Sequence, residues 1–294
     1  MVAVAKPEAT IVKREATPSE RFTAAVQRQF AAEVGNLNFS AYEKTLAQHL
    51  FIKIDAALIE AETKRKDSSK PAVTWANVNM TKIAIDAVNR VQLGIDALIP
   101  GSLYPITYLN DRTKKYDVDL RVGYKGEMYY KCEASVKPVK NVRVELVYTT
   151  DNFTVYKAGL KNSIEGYDFE ITQPFDRGEI VGGFGYIEYL DGTDNVLVTI
   201  SKAEIDKYRG KAMGDKFWGE WYAEMAYKTI VHRLMSKIVI DPAKVNAVAM
   251  AKVDAEDGLT LLHDDLMDAP PVLPADAEPI ATPDDSDGEV DPYK

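Results

Sequence analysis

A chain of 294 residues, 46% hydrophobic and 28% charged, is long enough for one sizeable globular core plus appendages. Its single cysteine, Cys132, excludes an intramolecular disulfide framework. No apolar run of about 18 residues and no signal-peptide-like stretch near Met1 points to a membrane or to export, so a cytoplasmic protein is expected. The formal charge of −9 is unevenly placed: residues 254–294 hold 13 Asp or Glu against one Lys, which leaves residues 1–253 at about +3.

Residues 1–17 mix Ala, Lys, Glu, Thr and Pro without periodicity and read as a flexible arm. Helical patterning begins at Pro18-Ser-Glu-Arg21 and recurs over 40–66 and 78–93, with apolar residues at three- and four-residue spacing such as Leu46, Leu50, Ile54 and Leu58. The polar run from Lys64 to Pro71 is a loop. From Leu103 the period falls to two. Tyr104, Ile106 and Tyr108 precede a polar turn at 110–114, after which Tyr116, Val118, Leu120, Val122 and Tyr124 alternate with Lys115, Asp117, Asp119, Arg121 and Lys125. That pattern predicts a hairpin with one polar face. A short helix is expected over 125–135 and strands over 139–148, 181–190 and 196–200, the last two about the turn Asp191-Gly-Thr-Asp194. Ser201-Lys-Ala-Glu204 forms a capping box that opens a helix, and a long helix is expected over 214–240. From Asp254 to Lys294 the chain has too little apolar area to offset its entropy, which predicts a disordered acidic tail. Helices, then a meander of antiparallel strands, then helices argue for an α+β domain over 18–253 rather than a doubly wound α/β one.

Two stretches, 94–126 and 216–237, set Lys or Arg beside Tyr and Trp, the mixture that holds a nucleic-acid strand with phosphates on cations and bases on rings. In the first, Arg112, Lys114, Lys115, Arg121 and Lys125 fall within fourteen residues, with Tyr124 between the last two and Tyr108 a weaker candidate. The competing reading is a solvated sheet face on which Asp117 and Asp119 pair with Arg121 and Lys115. In the second, Phe217, Trp221, Met225, Lys228 and His232 share one side of an ideal helix, and Arg233 and Lys237 lie well round from it. There the competing reading puts the tryptophans in the core and runs the Lys228 stem past them. Signals for catalysis are weak. His49, His232 and His263 have no metal-pair spacing, and Gly182-Gly-Phe-Gly185 is followed by neither Lys-Ser/Thr nor a helix start, so strand glycines permitting close approach are the better reading. Asp117 and Asp119 stand two apart on a strand, as nuclease carboxylates can, but without a supporting third carboxylate or lysine motif. Cys132 lacks a base partner and reads as a small buried hydrophobe.

Four motifs in order, Leu93-Gly-Ile-Asp96 with the following Pro- and Tyr-containing strand and Arg121-Val-Gly-Tyr-Lys-Gly126, then the Gly-rich strand 181–192, then Ser201–Arg209, then Trp221–Ser236, resemble the RecT family of bacteriophage and prophage recombination proteins over about 94–241. The resemblance implies a protein that coats single-stranded DNA as oligomeric rings or helices and pairs it with a complementary strand without ATP, in the cytoplasm of a bacterial host. It implies DNA contacts at Arg121, Tyr124 and Lys125 in the Gly-Tyr-Lys-Gly segment, at Lys228, Thr229 and Arg233 in the helix block, and at Arg209 and Lys211 where the family has a basic helix end. Arg112, Lys114 and Lys115 on the hairpin complete the expected set. His232 stands where relatives often carry an arginine. No cofactor is expected to be required, Mg2+ at most assisting the pairing. Expected partners are single-stranded DNA, the annealed duplex, further copies of the chain and, through the C-terminal region, a phage exonuclease or a host single-strand-binding protein. The acidic tail has three readings: a solubilising appendage, a partner-binding peptide, or a DNA mimic that competes for the groove. Two other functional classes stay open, an acidic scaffold protein and a metal-dependent nuclease built on Asp117 and Asp119.

Overall fold

The helical spacing of the first third becomes α1 (Pro18–Val34), α2 (Ala41–Lys64) and α3 (Met80–Gln92) in the computed structural model, which describes residues 14–34, 39–159, 163–211 and 216–256. A full capping box starts α2: the Ser40 hydroxyl accepts from the Glu43 amide at 3.2 Å, and the Glu43 carboxylate accepts from the Ser40 amide at 2.7 Å. Leu46, Leu50, Ile54 and Leu58 are buried, as their spacing demands. Phe22, Phe51 and Trp75 pack beside them, and the Trp75 indole N–H donates to Asp55 at 2.7 Å.

β1 (Leu103–Asn110) and β2 (Lys115–Val122) form the expected antiparallel hairpin. Leu103, Val118 and Leu120 are buried in the same core as the helices. Arg90 of α3 is buried in that core and donates from Nε to the Leu120 carbonyl at 2.9 Å, pinning the hairpin to the helix. An eighth helix, α8 (Ala247–Glu256), closes this first core with Ala249 and Val253. Helix α8 thus runs three residues past 253, the end expected for the domain. The boundary placed at Asp254 counts residues by charge, whereas Ala249 and Val253 lie one turn apart on a buried stripe. The rest of the acidic stretch, 257–294, and the arm over 1–13 lie outside the described residues.

A second core forms on the sheet β3 (Val139–Tyr148), β6 (Ile180–Tyr189) and β7 (Val196–Ser201), antiparallel in the order β3-β6-β7. One face is covered by α5 (Lys202–Lys211), α6 (Lys216–Glu220) and α7 (Tyr222–Met235). The Gly-rich motif permits this cover. A Cβ at Gly183 would stand 2.4 Å from Ile230 Cδ1, and one at Gly185 would stand 2.8 Å from Leu234 Cδ2, so α7 lies against strand backbone. Phe184 points to the opposite face, where a second hairpin, β4 (Asn152–Tyr156) and β5 (Gly166–Glu170), stacks Phe153 on it at 4.6 Å. The sequence reading did not anticipate β4 and β5. The single long helix expected over 214–240 is also broken: Trp221 has φ −132° and ψ 45°, which splits the run into α6 and α7. Gly219, the poorest helix former of the segment, lies just before the break. Between the two cores runs α4 (Tyr124–Glu133), which packs on α7.

Candidate nucleic-acid interface

The hairpin register places Tyr104 opposite Arg121, Ile106 opposite Asp119, Tyr108 opposite Asp117 and Asn110 opposite Lys115. Tyr104, Ile106 and Tyr108 are exposed while Tyr116, Val118 and Leu120 are buried, so the rings share the outer face with the charges. Tyr104, which the sequence pattern did not single out, shares that face with Tyr108. Arg112, Lys114 and Lys115 crowd the exposed tip. Lys114 holds the left-handed turn position at φ 54°, with its amide donating to the Asn110 carbonyl at 2.8 Å. The carboxylates of the face are held by neighbours. Asp117 accepts from the Asn79 and Asn110 side-chain amides, both at 2.9 Å, and the Asn110 amide, more than the one from Asn79, keeps its carboxyl below the usual range despite partial burial. Asp119 lies 2.6 Å from Lys82 Nζ and 3.8 Å from Arg121. Lys82, rather than Lys115, is thus the cation that offsets Asp119, which leaves Arg121 in a long, loose pair. The two carboxylates carry separate partners, and no group of three or more His, Cys, Asp or Glu among the described residues is placed to hold a metal ion.

Beyond Arg121 the chain makes a close turn into α4. A Cβ at Gly123 would stand 2.1 Å from the Gly101 carbonyl oxygen, and one at Gly126 would stand 2.4 Å from that of Ser102. The two glycines of the motif thus let α4 begin directly against the loop at 101–102. Lys125 is exposed, with its stem lying over Gly101. Tyr124, expected as a strand contact, is half-buried. Its ring meets Tyr227 edge-on at 5.7 Å and packs against the second core, so it joins the hairpin to α7. The next turn of α4 is buried and charged. Glu127 meets Lys131 at 3.0 Å and His232 of α7, while Tyr130 donates its hydroxyl to Asp254 of α8 at 2.5 Å. Burial pushes the Glu127 carboxyl up, but the hydrogen bond and charge of His232 together with Lys131 outweigh it and hold the carboxyl below its usual range. His232 is therefore an interior partner of Glu127. Tyr129, on the outer side, hydrogen-bonds Tyr42; that bond and burial push its hydroxyl up to about 12. Cys132 is half-buried and its thiol is pushed up to about 11 by burial, which suits a packing role over a nucleophilic one.

On α7 the buried line runs through Ala226, Ile230 and Leu234, not through Trp221 and Met225. Trp218 is 2% exposed and Trp221 is 54% exposed, so the break at Trp221 sends one ring inward and the other out. Thr229 is buried, and its hydroxyl proton is donated to the Met225 carbonyl at 2.9 Å within the same helix. Lys228 is half-buried, and Arg233 lies 3.5 Å from Glu204 of α5. Arg209 lines a separate cleft of about 340 Å3 with Tyr148, Lys202 and Tyr222. The side chain of Lys211 lies outside the described residues. Arg121 and Lys125 thus stand at the base of the hairpin and Arg112, Lys114 and Lys115 at its tip, while Tyr124 against Tyr227 links the base to the helix that carries Lys228; Arg209 and Arg233 belong to the α5 side.

No helix among the described residues is long and apolar enough to cross a membrane. No curated protein matches the chain. The RecT family model matches residues 81–258, from α3 through the hairpin, both sheets and α8. With more than half of its length matched, the chain belongs to the RecT family, proteins that bind and anneal single-stranded DNA in recombination.

Proposed function

We propose that this chain anneals complementary strands without ATP or any required metal, as an assembly of copies along the DNA. The observation that carries the reading is the outer face of the hairpin, where the exposed Tyr104 lies opposite Arg121 and the exposed Tyr108 lies opposite Asp117, toward a tip of three cations. Cations at Arg112, Lys114, Lys115, Arg121 and Lys125 would hold phosphates, each neutralised phosphate contributing about 0.7 to the salt slope on a single strand. The exposed rings would stack or space bases at about 1–3 kcal/mol per base. The test is fluorescence-monitored pairing of two complementary oligonucleotides without ATP, in chelator, over a salt series. Acceleration that persists in chelator and weakens with salt is expected. Intact DNA with no acceleration would favour a scaffold, and loss of DNA only when Mg2+ is restored would favour a nuclease.

Assembly has its own support in α2. Opposite its buried stripe, the exposed residues Ile52, Ala56, Ile59 and Thr63 repeat at steps of four, three and four, the spacing of a helix-packing seam. Ile52 and Ile59 are both more than half exposed and lie two turns apart on that line. A small core charge also favours many copies sharing one strand over tight binding by one. Ile52→Glu with Ile59→Glu, both outside the core, should shift the sedimenting species toward monomer while leaving the melting temperature close to that of the parent.

A further inference from the structure

The outer side of α4 borders a cleft of about 310 Å3 whose walls include Tyr42, Ile99, Lys125 and Tyr129. Ile99 among them is half exposed, so an apolar wall lies beside an exposed cation. The start of the acidic run already docks on this helix. Asp254 accepts from Tyr130 at 2.5 Å and lies 3.9 Å from Lys131. Lys125 is six residues before Lys131 on α4, about 9 Å along the helix axis. The chain after Glu256 continues Asp257-Gly-Leu-Thr-Leu-Leu-His-Asp-Asp-Leu-Met267, with Leu259, Leu262 and Leu266 spaced by three and four and acids at Asp264 and Asp265. Eight residues from Asp254 reach up to about 27 Å, ample to pass Tyr130 and arrive at its neighbour Tyr129.

We infer that residues 259–267 of the same chain dock in this cleft, the leucines on Tyr42, Ile99 and Tyr129 and the acids over Lys125. The occupant matches the site in both respects, apolar side chains for the walls and carboxylates for the cation, and the one acid among the lining residues, Asp96, is itself paired with His49 at 2.9 Å. Thirty-eight residues follow Glu256, so the segment needs no second copy to supply it. The consequence for DNA rests on Lys125 being a strand contact, as proposed above: a docked tail would cover that lysine and hold the protein in a lower-affinity state. The docking itself is independent of that reading and is tested without DNA.

The direct test is zero-length carbodiimide cross-linking of the full-length protein, which condenses a Lys amine with an Asp carboxylate when the two are in contact, followed by peptide mass spectrometry. An amide between Lys125 and Asp264 or Asp265 is expected, lost in Leu262→Asp and also in Ile99→Glu, whose side chain is already exposed. A mixture of isotope-labelled and unlabelled protein should give only same-chain products. Absence of the amide in the parent, its survival in both variants, or mixed-label products would overturn the inference. With docking established, Leu262→Asp should tighten single-strand binding at low salt by about threefold, the factor expected if the tail masks the site for two-thirds of the time. Cross-links without any change in DNA affinity would retain the docking and remove Lys125 from the DNA surface.

Discussion

The hairpin and the α6–α7 segment carry the same mixture of aromatic rings and cations, but the fold disposes them in opposite ways. On the hairpin, Tyr104 opposite Arg121 and Tyr108 opposite Asp117 are about half exposed, over a floor of Tyr116, Val118 and Leu120. In the helical segment Trp218, Thr229 and Ile230 are buried, and Arg233 lies at the margin beside Glu204. The difference comes from what lies underneath. Gly183 and Gly185 remove the side chains between β6 and α7, so the helix sinks onto the sheet and its middle becomes core. Nothing covers the outer face of the hairpin in the same way among the described residues. A basic-aromatic motif therefore signals a binding face only where the backbone leaves that face uncovered.

The two tryptophans of the helical segment give the strongest way to break this contrast. Trp218→Ala should cost about 3–5 kcal/mol, because a large ring leaves a cavity in the second core. Trp221→Ala should change stability by no more than about 0.5 kcal/mol, as for other surface substitutions. Chemical denaturation of both variants decides the matter, and equal costs would mean that α6 and α7 do not separate the rings as described.

Glu127 tests the junction between the regions. Gln in its place leaves Lys131 and His232 without their buried anion, a loss of about 3 kcal/mol. The pH dependence has a definite sign. The carboxyl titrates lower in the folded chain than in the unfolded chain, so its stabilisation is complete above the unfolded value near 4.3 and disappears as pH falls through the lower folded value. Thermal melts of the parent should therefore weaken below about pH 4.5, and Glu127→Gln should melt lower at neutral pH with a flatter acid limb. Parallel curves for the two proteins would remove Glu127 from the acid response.

Legibility in the sequence followed the range of the interactions. The capping boxes at Ser40 and Ser201, the stripe from Leu46 to Leu58 and the alternation from Tyr116 to Leu120 are local patterns, and each was readable because neighbours along the chain set it. The strands β4 and β5 were not readable, since five-residue strands acquire their meaning only when Phe153, Tyr167 and Phe169 meet Phe184. The interior positions of Arg90, Glu127 and Lys131 were equally hidden, because charge marks a residue for the surface until a partner from another element appears. For the site, five cations and Tyr108 were legible as an exposed group. Tyr104 became visible only through its register with Arg121, and Tyr124 and Thr229 moved into packing roles through contacts with Tyr227 and Met225.

The smallest effect discriminates most finely between the two regions. Arg121→Ala removes one cation from the exposed face without disturbing the core, since its ion pair with Asp119 is long, at 3.8 Å, and Lys82 holds that carboxylate more closely. Single-strand affinity should fall, and the slope of log affinity against log salt should decrease by about 0.7. Thr229→Val, a near-isosteric change in the other motif, should leave that slope unaltered because the hydroxyl is committed to the Met225 carbonyl within its own helix. Fluorescence anisotropy with a labelled oligonucleotide at several salt concentrations reads both numbers. A slope change for Thr229→Val, or none for Arg121→Ala, would reverse the assignment of surface and core on which the contrast stands.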